Sequence, residues 1–131
     1  QGAKISYSFK IFKNIYDNGY KRNQAKTIAA YDSDNNLHAA LFVVWDDMSA
    51  YDLISTIDPD FRTYGAASVL VREIIKFTSR FVNKFDFEGS MIEPVERSFR
   101  QFGAKQIPYF NVHKTNSKLI KTYRYLQSLR R

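Results

Sequence analysis

The chain holds 131 residues, enough for one domain with a single core and too few for a second complete one. Its 44% apolar and 16% aromatic content supports a folded domain over a disordered one, and the lack of cysteine excludes a disulfide framework, a thiolate metal site and a cysteine nucleophile. The net charge of +7 is uneven: residues 27–61 carry seven acidic side chains and no Lys or Arg, whereas residues 62–131 carry fourteen basic and five acidic ones. The second half therefore faces anions, as a solvated surface or as a field for a nucleotide, a phosphorylated cofactor, tRNA or an anionic envelope surface.

In chain order, Ile5, Phe9, Phe12 and Tyr16 recur at helical spacing, Ser6 or Ser8 can cap, and Gly19 stands where the helix should end. Lys26 to Tyr31 and Leu37 to Trp45 read as two strands of a hairpin. Asp32-Ser33-Asp34-Asn35-Asn36 lies between them, and its side chains bond to nearby backbone and favour turns. A third strand, roughly Ala50 to Ile57, follows the Asp46-Asp47 turn and completes an antiparallel meander. From Ala66 to Phe81 the apolar stripe Leu70, Ile74, Phe77 and Phe81 predicts a helix.

Lys84 to Phe87 is a short strand. Pro94 to Phe102 is a helix with Pro in its first turn, Val95, Phe99 and Phe102 inward, and Gly103 as its stop. Ile107 to His113 is a further strand candidate. Leu119, Ile120, Tyr123 and Leu126, opposite Lys118, Lys121 and Arg124, make a closing basic amphipathic helix. The pattern implies an α+β domain, residues 1–131, in which a three-stranded antiparallel meander joins a mixed sheet with helices on its faces. Leu41, Val43, Leu53, Leu70, Ile74, Phe77, Val95, Phe99 and Phe102 are its expected core. The longest apolar run, Ala39 to Trp45, falls far short of the roughly 20 residues of a membrane-spanning helix. A soluble, cytoplasmic protein is expected.

The sharpest local signal is Arg62-Thr63-Tyr64-Gly65-Ala66-Ala67, between the third strand and the second helix. A strand that turns through Gly into a helix aims the unpaired N–H groups of the first helical turn at one point outside the sheet. The helix dipole favours an anion there, Gly65 clears a close approach, and Arg62 can add a charge-assisted hydrogen bond. The alternative is an ordinary helix start. Arg62-x-x-Gly65-x-Ala67 resembles the Gln/Arg-x-x-Gly-x-Gly/Ala signature with which GNAT acyltransferases hold the pyrophosphate of acyl-coenzyme A.

A longer stretch, about residues 5 to 114, is similar to the second GNAT-like lobe of bacterial Fem-type proteins. It is carried by Ala40-Leu41-Phe42-Val43-Val44-Trp45-Asp46-Asp47, the Asp58-Pro59 turn, Phe85-Asp86-Phe87-Glu88-Gly89-Ser90-Met91-Ile92, Phe99-Arg100-Gln101-Phe102-Gly103-Ala104 and Pro108-Tyr109-Phe110. Those proteins resemble peptidoglycan aminoacyl transferases, which take aminoacyl-tRNA as donor and carry a preceding lobe. The first strand of a complete GNAT fold is not found here. The resemblance therefore implies an excised lobe, with an exposed edge or patch and a tendency to self-associate.

The resemblance also implies a mechanism. The donor's acyl arm would lie between the meander's last strand and the strand around Phe85, with direct attack by an amine, a backbone N–H on the oxyanion and a side-chain base. Glu88 is the candidate base, at the carboxyl end of its strand, although Ser90-x-x-Glu93 also matches a capping box that Asp86 and Glu88 would only organise. Tyr109 is a candidate general acid or a core aromatic. His38 and His113 have no partner at metal-ligand spacing, so no metal is expected. Two functions lead: acyl or aminoacyl transfer to an amine from acyl-coenzyme A or aminoacyl-tRNA, and a noncatalytic lobe that binds tRNA or a cell-envelope precursor for a partner lobe. An RNA-binding module ranks last, because the aromatic-rich strand motif of an RNA-recognition sheet is lacking and the basic residues fall mainly on predicted helices.

Overall fold

The structure is a computed structural model that describes residues 8–89, 93–108, 110, 112 and 114–128. The Ser8 hydroxyl accepts from the Ile11 N–H and opens α1 (Phe9–Lys21), where Phe12, Tyr16 and Tyr20 form one aromatic ridge. Gly19 does not end this helix. The helix runs on to Lys21, and Gly19 instead permits a close approach, because a Cβ there would lie 2.7 Å from the Ala25 Cβ. The chain turns at Asn23, whose φ is 55°.

Strands β1 (Ala25–Tyr31), β2 (Leu37–Trp45) and β3 (Ser49–Ile57) form the expected antiparallel meander, and β4 (Lys84–Asp86) joins β3 in parallel, giving the order β1-β2-β3-β4. Aspartates make both meander turns. Asp32 accepts from the N–H groups of Asp34 and Asn36 and from the Asn36 amide, and Asp46 accepts from the N–H groups of Met48 and Ser49 and from the Tyr51 hydroxyl. Donors aimed at the ionised form hold both carboxyls below their ordinary range, Asn36 acting first on Asp32 and the Met48 N–H on Asp46.

Alternation along β2 sorts the two faces of the sheet. Ala39, Leu41 and Val43, with Ala50 of β3, cluster with Leu70, Val71 and Ile74 of α2 (Ala66–Thr78) and with Val82. Phe42 points the other way, to Phe12 at 5.7 Å and Tyr16 at 5.4 Å on α1. Helices thus cover both faces, as the α+β reading requires. Helix α2 stops three residues before Phe81, where the Thr78 hydroxyl donates to the Ile74 carbonyl and the Phe81 and Val82 N–H groups fold back to the Thr78 carbonyl. Phe81 still packs, with Trp45 at 5.2 Å and Phe77 at 5.4 Å.

The expected core is only partly buried. Leu41, Val43, Leu70 and Ile74 are buried, while Leu53, Phe77, Phe99 and Phe102 are half-buried. Val95 is exposed. It lies on α3 (Glu93–Arg100), which meets Phe87 through Phe99 at 4.5 Å, with Phe102 beyond the helix at 6.0 Å, and turns its first residues to solvent. The strand expected over residues 107–113 is not formed by Ile107, Pro108, Phe110 or Val112, which have no ladder and are exposed; Tyr109, Asn111 and His113 lie outside the described residues. Helix α4 (Lys118–Ser128) is exposed along its whole length. No helix among the described residues is long and apolar enough to cross a membrane.

Candidate functional site

Past β3, Asp58 caps a 3-10 turn, Pro59–Tyr64, by accepting from the Asp60 N–H at 3.0 Å. Gly65 follows in the left-handed region, at φ 74° and ψ 7°, and α2 begins at Ala66 without a side-chain cap. The first-turn N–H groups of a thirteen-residue helix are therefore left to an outside acceptor. A Cβ at Gly65 would meet nothing within 4 Å, so the approach to those groups is open from the protein's side. Arg62, Thr63 and Tyr64 are exposed, whereas Ala66 and Ala67 are half-buried against the core cluster. An anionic donor such as a pyrophosphate fits this arrangement: backbone at Gly65 to Ala67, and an exposed positive charge at Arg62.

The two strands that precede and follow this segment pair over a short stretch only. Strands β3 and β4 pair only from Ser49–Lys84 through Ala50–Phe85 to Tyr51–Asp86, and beyond that point β3 runs on without a β4 partner. The register against β2 slips at the same place. Phe42 faces Ile54 and Val43 faces Asp52, so Leu53 is the extra residue of a β-bulge. The bulge puts Asp52 and Ser55 on one face, where the Ser55 hydroxyl lies 2.7 and 2.8 Å from the two carboxylate oxygens. Asp52 is only 7% exposed, and burial pushes its carboxyl above the ordinary range despite the Ser55 bond.

Glu88 lies just beyond β4, exposed, with φ 58° and its N–H donated to Asp86 at 3.0 Å. Lys84 bonds the other Asp86 oxygen at 2.7 Å and holds that carboxyl low. Glu88 thus follows the carboxyl end of β4 in a left-handed turn continued by Gly89 at φ 72°. Ser90, of the Ser90-x-x-Glu93 capping box, and the candidate acid Tyr109 both lie outside the described residues. Asp52 was not singled out from the sequence. Its available signal was that it is the one charged residue of its strand.

At the other side of the loop stands His38. It is 8% exposed, its Nε2 lies 3.0 Å from Asp32 Oδ2, and its ring stacks on Phe61 at 4.0 Å and 11°. Among the described residues no three His, Asp or Glu side chains gather as metal ligands.

The sequence model of the acetyltransferase (GNAT) domain family matches residues 4–91, two thirds of the chain, from α1 through β4 and including the Arg62–Ala67 loop. The chain belongs to this family. Solved structures agree with the GNAT fold at low identity. A predicted acetyltransferase with acetyl-CoA from Clostridium acetobutylicum superposes with a TM-score of 0.68 at 14% identity, covering 86% of this chain and 79% of that one. The aminoglycoside antibiotic 6'-N-acetyltransferase of Acinetobacter baumannii gives 0.64 at 14% identity, covering 86% and 84%. An acetyltransferase of Trypanosoma brucei gives 0.62 at 13%, covering 85% and 82%. No curated protein sequence matches the chain. In the GNAT domain described here, β3 runs unpaired by β4 from Asp52 onward and leads through the Pro59–Tyr64 turn into the loop.

Proposed function

We propose that this GNAT domain transfers an acyl group from acyl-coenzyme A to an amine. One observation carries the reading: Gly65, in the left-handed region and exposed, leads an uncapped helix start, and the turn before it continues the stretch of β3, beyond Tyr51, that β4 leaves unpaired. The Gly65 to Ala67 backbone and Arg62 would hold the pyrophosphate, and the acyl arm would enter between the parted strands. The donor supplies a thioester carbonyl, which the acceptor amine attacks directly. A backbone N–H at the Leu53 bulge would donate to the developing oxyanion. Asp52, whose proton affinity burial has raised, would take the proton from the attacking amine, with Ser55 orienting it; the tetrahedral intermediate then breaks its C–S bond, and coenzyme A leaves as the thiol with that proton. Glu88, just beyond β4, is the competing base.

Thiol release from acetyl-coenzyme A tests this directly, since the protein has no cysteine of its own to add background. With a panel of primary amines, the parent should release thiol in proportion to acceptor acylation. Asp52→Asn should lose roughly 10²–10⁴ in rate, the usual worth of a general base, while Glu88→Gln should retain most activity. The opposite pattern moves the base to Glu88. No saturable coenzyme A binding and no acylation of any amine would overturn the reading.

The finer assignment, to the second lobe of a Fem-type protein with aminoacyl-tRNA as donor, is supported by the sequence resemblance over residues 5–114 and by exposed Lys118, Lys121 and Arg124 on α4. It brings with it a preceding GNAT-like lobe, self-association when that lobe is missing, and a cytoplasmic site of action, where both donors are made. Binding of charged tRNA but not coenzyme A, with a steep salt slope, would favour it.

A further inference from the structure

The turn Pro59–Tyr64 has no buried residue, yet it leads directly into Gly65 and the uncapped start of α2. A cavity of about 450 Å³ lies along its inner side, lined by Asn36, Leu37, His38, Thr56, Asp58 and Phe61 among others. Core packing therefore does not fix the turn. What meets it is His38, in three ways. Its carbonyl accepts from the Asp58 N–H at 2.9 Å, its ring stacks on Phe61, and its edge meets Tyr64 at 5.3 Å and 67°. Phe61 and Tyr64 also meet each other, at 5.9 Å and 62°. On its far side the imidazole bonds Asp32, which three donors of the β1–β2 turn already hold.

We propose that His38 is a positioning residue for the acyl donor: the series Asp32, His38, Phe61 and Tyr64 sets where the Gly65 to Ala67 N–H groups point. This rests on the donor site proposed above but concerns residues outside its signature. The carboxylate fixes the ring, the ring fixes Phe61 by a face-to-face contact, and Tyr64 passes the constraint to its neighbour Gly65. The competing role is a satisfied buried histidine that merely closes the end of the sheet. Two features separate the roles: a merely structural histidine would affect the whole sheet end, whereas a positioning one acts on the loop; and a flat ring at position 38 should suffice for positioning even without the Asp32 bond.

The experiment compares the parent with His38→Ala, His38→Phe, Phe61→Leu and the His38→Ala/Phe61→Leu double variant, first by backbone amide shifts without ligand and then by calorimetry with coenzyme A. Both single truncations should move the amides of residues 62–67 more than those of Leu70–Ile74 or β1. Each should weaken coenzyme A about two- to tenfold, the range one aromatic pair supplies, and the double variant should lose little more than either. His38→Phe should bind nearly as the parent. In steady state the donor KM should rise while kcat at saturating donor and the acceptor KM hold. Unmoved loop amides, shifts spread evenly over the sheet, additive losses or unchanged donor affinity would overturn the proposal. Failure of the parent itself to bind coenzyme A would instead overturn the function proposed above, and the ligand-free amide shifts would still decide whether His38 sets the loop.

Discussion

Gly65 allows backbone strain and ligand exclusion to be measured apart. At φ 74° an L side chain costs about 1–2 kcal/mol, so Gly65→Ala should lower stability by that amount, roughly 3–10 °C in melting temperature for a domain of this size. Gly103, at φ 80° with equally open space around a Cβ, should lose about as much on Gly103→Ala. The two variants then share the strain and differ only in place. Gly65→Asn completes the set, because Asn tolerates the left-handed region, as Asn23 and Asn35 do in this chain at φ 55° and 65°. It should keep more of the melting temperature than Gly65→Ala while placing a larger side chain over the helix start. If coenzyme A rests on those N–H groups, both Gly65 variants should lose about 1.5–3 kcal/mol of affinity per charged hydrogen bond broken, roughly ten- to 150-fold, and Gly103→Ala none. Gly65→Val is a poorer probe, since a β-branched residue at this φ combines both effects. Thermal melts by circular dichroism and calorimetric titrations supply the two readouts. The reasoning fails if Gly65→Asn binds as the parent, or if Gly103→Ala weakens binding as much as Gly65→Ala does.

Asp52→Asn should also change the pH dependence of stability. The folded carboxyl lies above its unfolded value, so its ionisation costs folding stability once pH exceeds both, and nothing when both forms are protonated. The stability difference should therefore move in the variant's favour between about pH 3 and about pH 7, read from denaturant melts; a flat difference would remove the burial argument. Arg62→Ala should weaken coenzyme A, less so as salt rises, because an exposed guanidinium and phosphate are screened; a salt-independent loss would place Arg62 elsewhere. Gly19→Ala should destabilise by roughly 1–3 kcal/mol, the Cβ clash with Ala25 outweighing the better helix propensity, and a more stable variant would contradict the close approach.

The sequence was most legible where local chemistry decides structure. The aspartate turns at Asp32 and Asp46, the alternation of β2 and the stripe of Leu70 and Ile74 placed the meander, the second helix and the Gly65 turn between them. Errors arose where tertiary contact overrides a local rule. Gly19 reads as a stop by propensity, but its missing Cβ serves the approach of Ala25. Val95 has the spacing of an inward residue, yet only the far end of α3 meets Phe87. The Leu53 bulge has no sequence period, and without it Asp52 and Ser55 could not be brought together. His38 reached Phe61 across twenty-three residues, through folding of the sheet end, and no spacing rule anticipates that stack.

The claim on which the rest depends is that the anion site at Gly65 and the opening between β3 and β4 receive one donor molecule. Amide shifts of the labelled parent during titration with coenzyme A report both places at once. The account predicts saturable shifts, with one affinity, at residues 62–68 and at Asp52 to Ser55 of β3. Shifts confined to the basic residues of α4, or no saturable shift at residues 65–67, would contradict it.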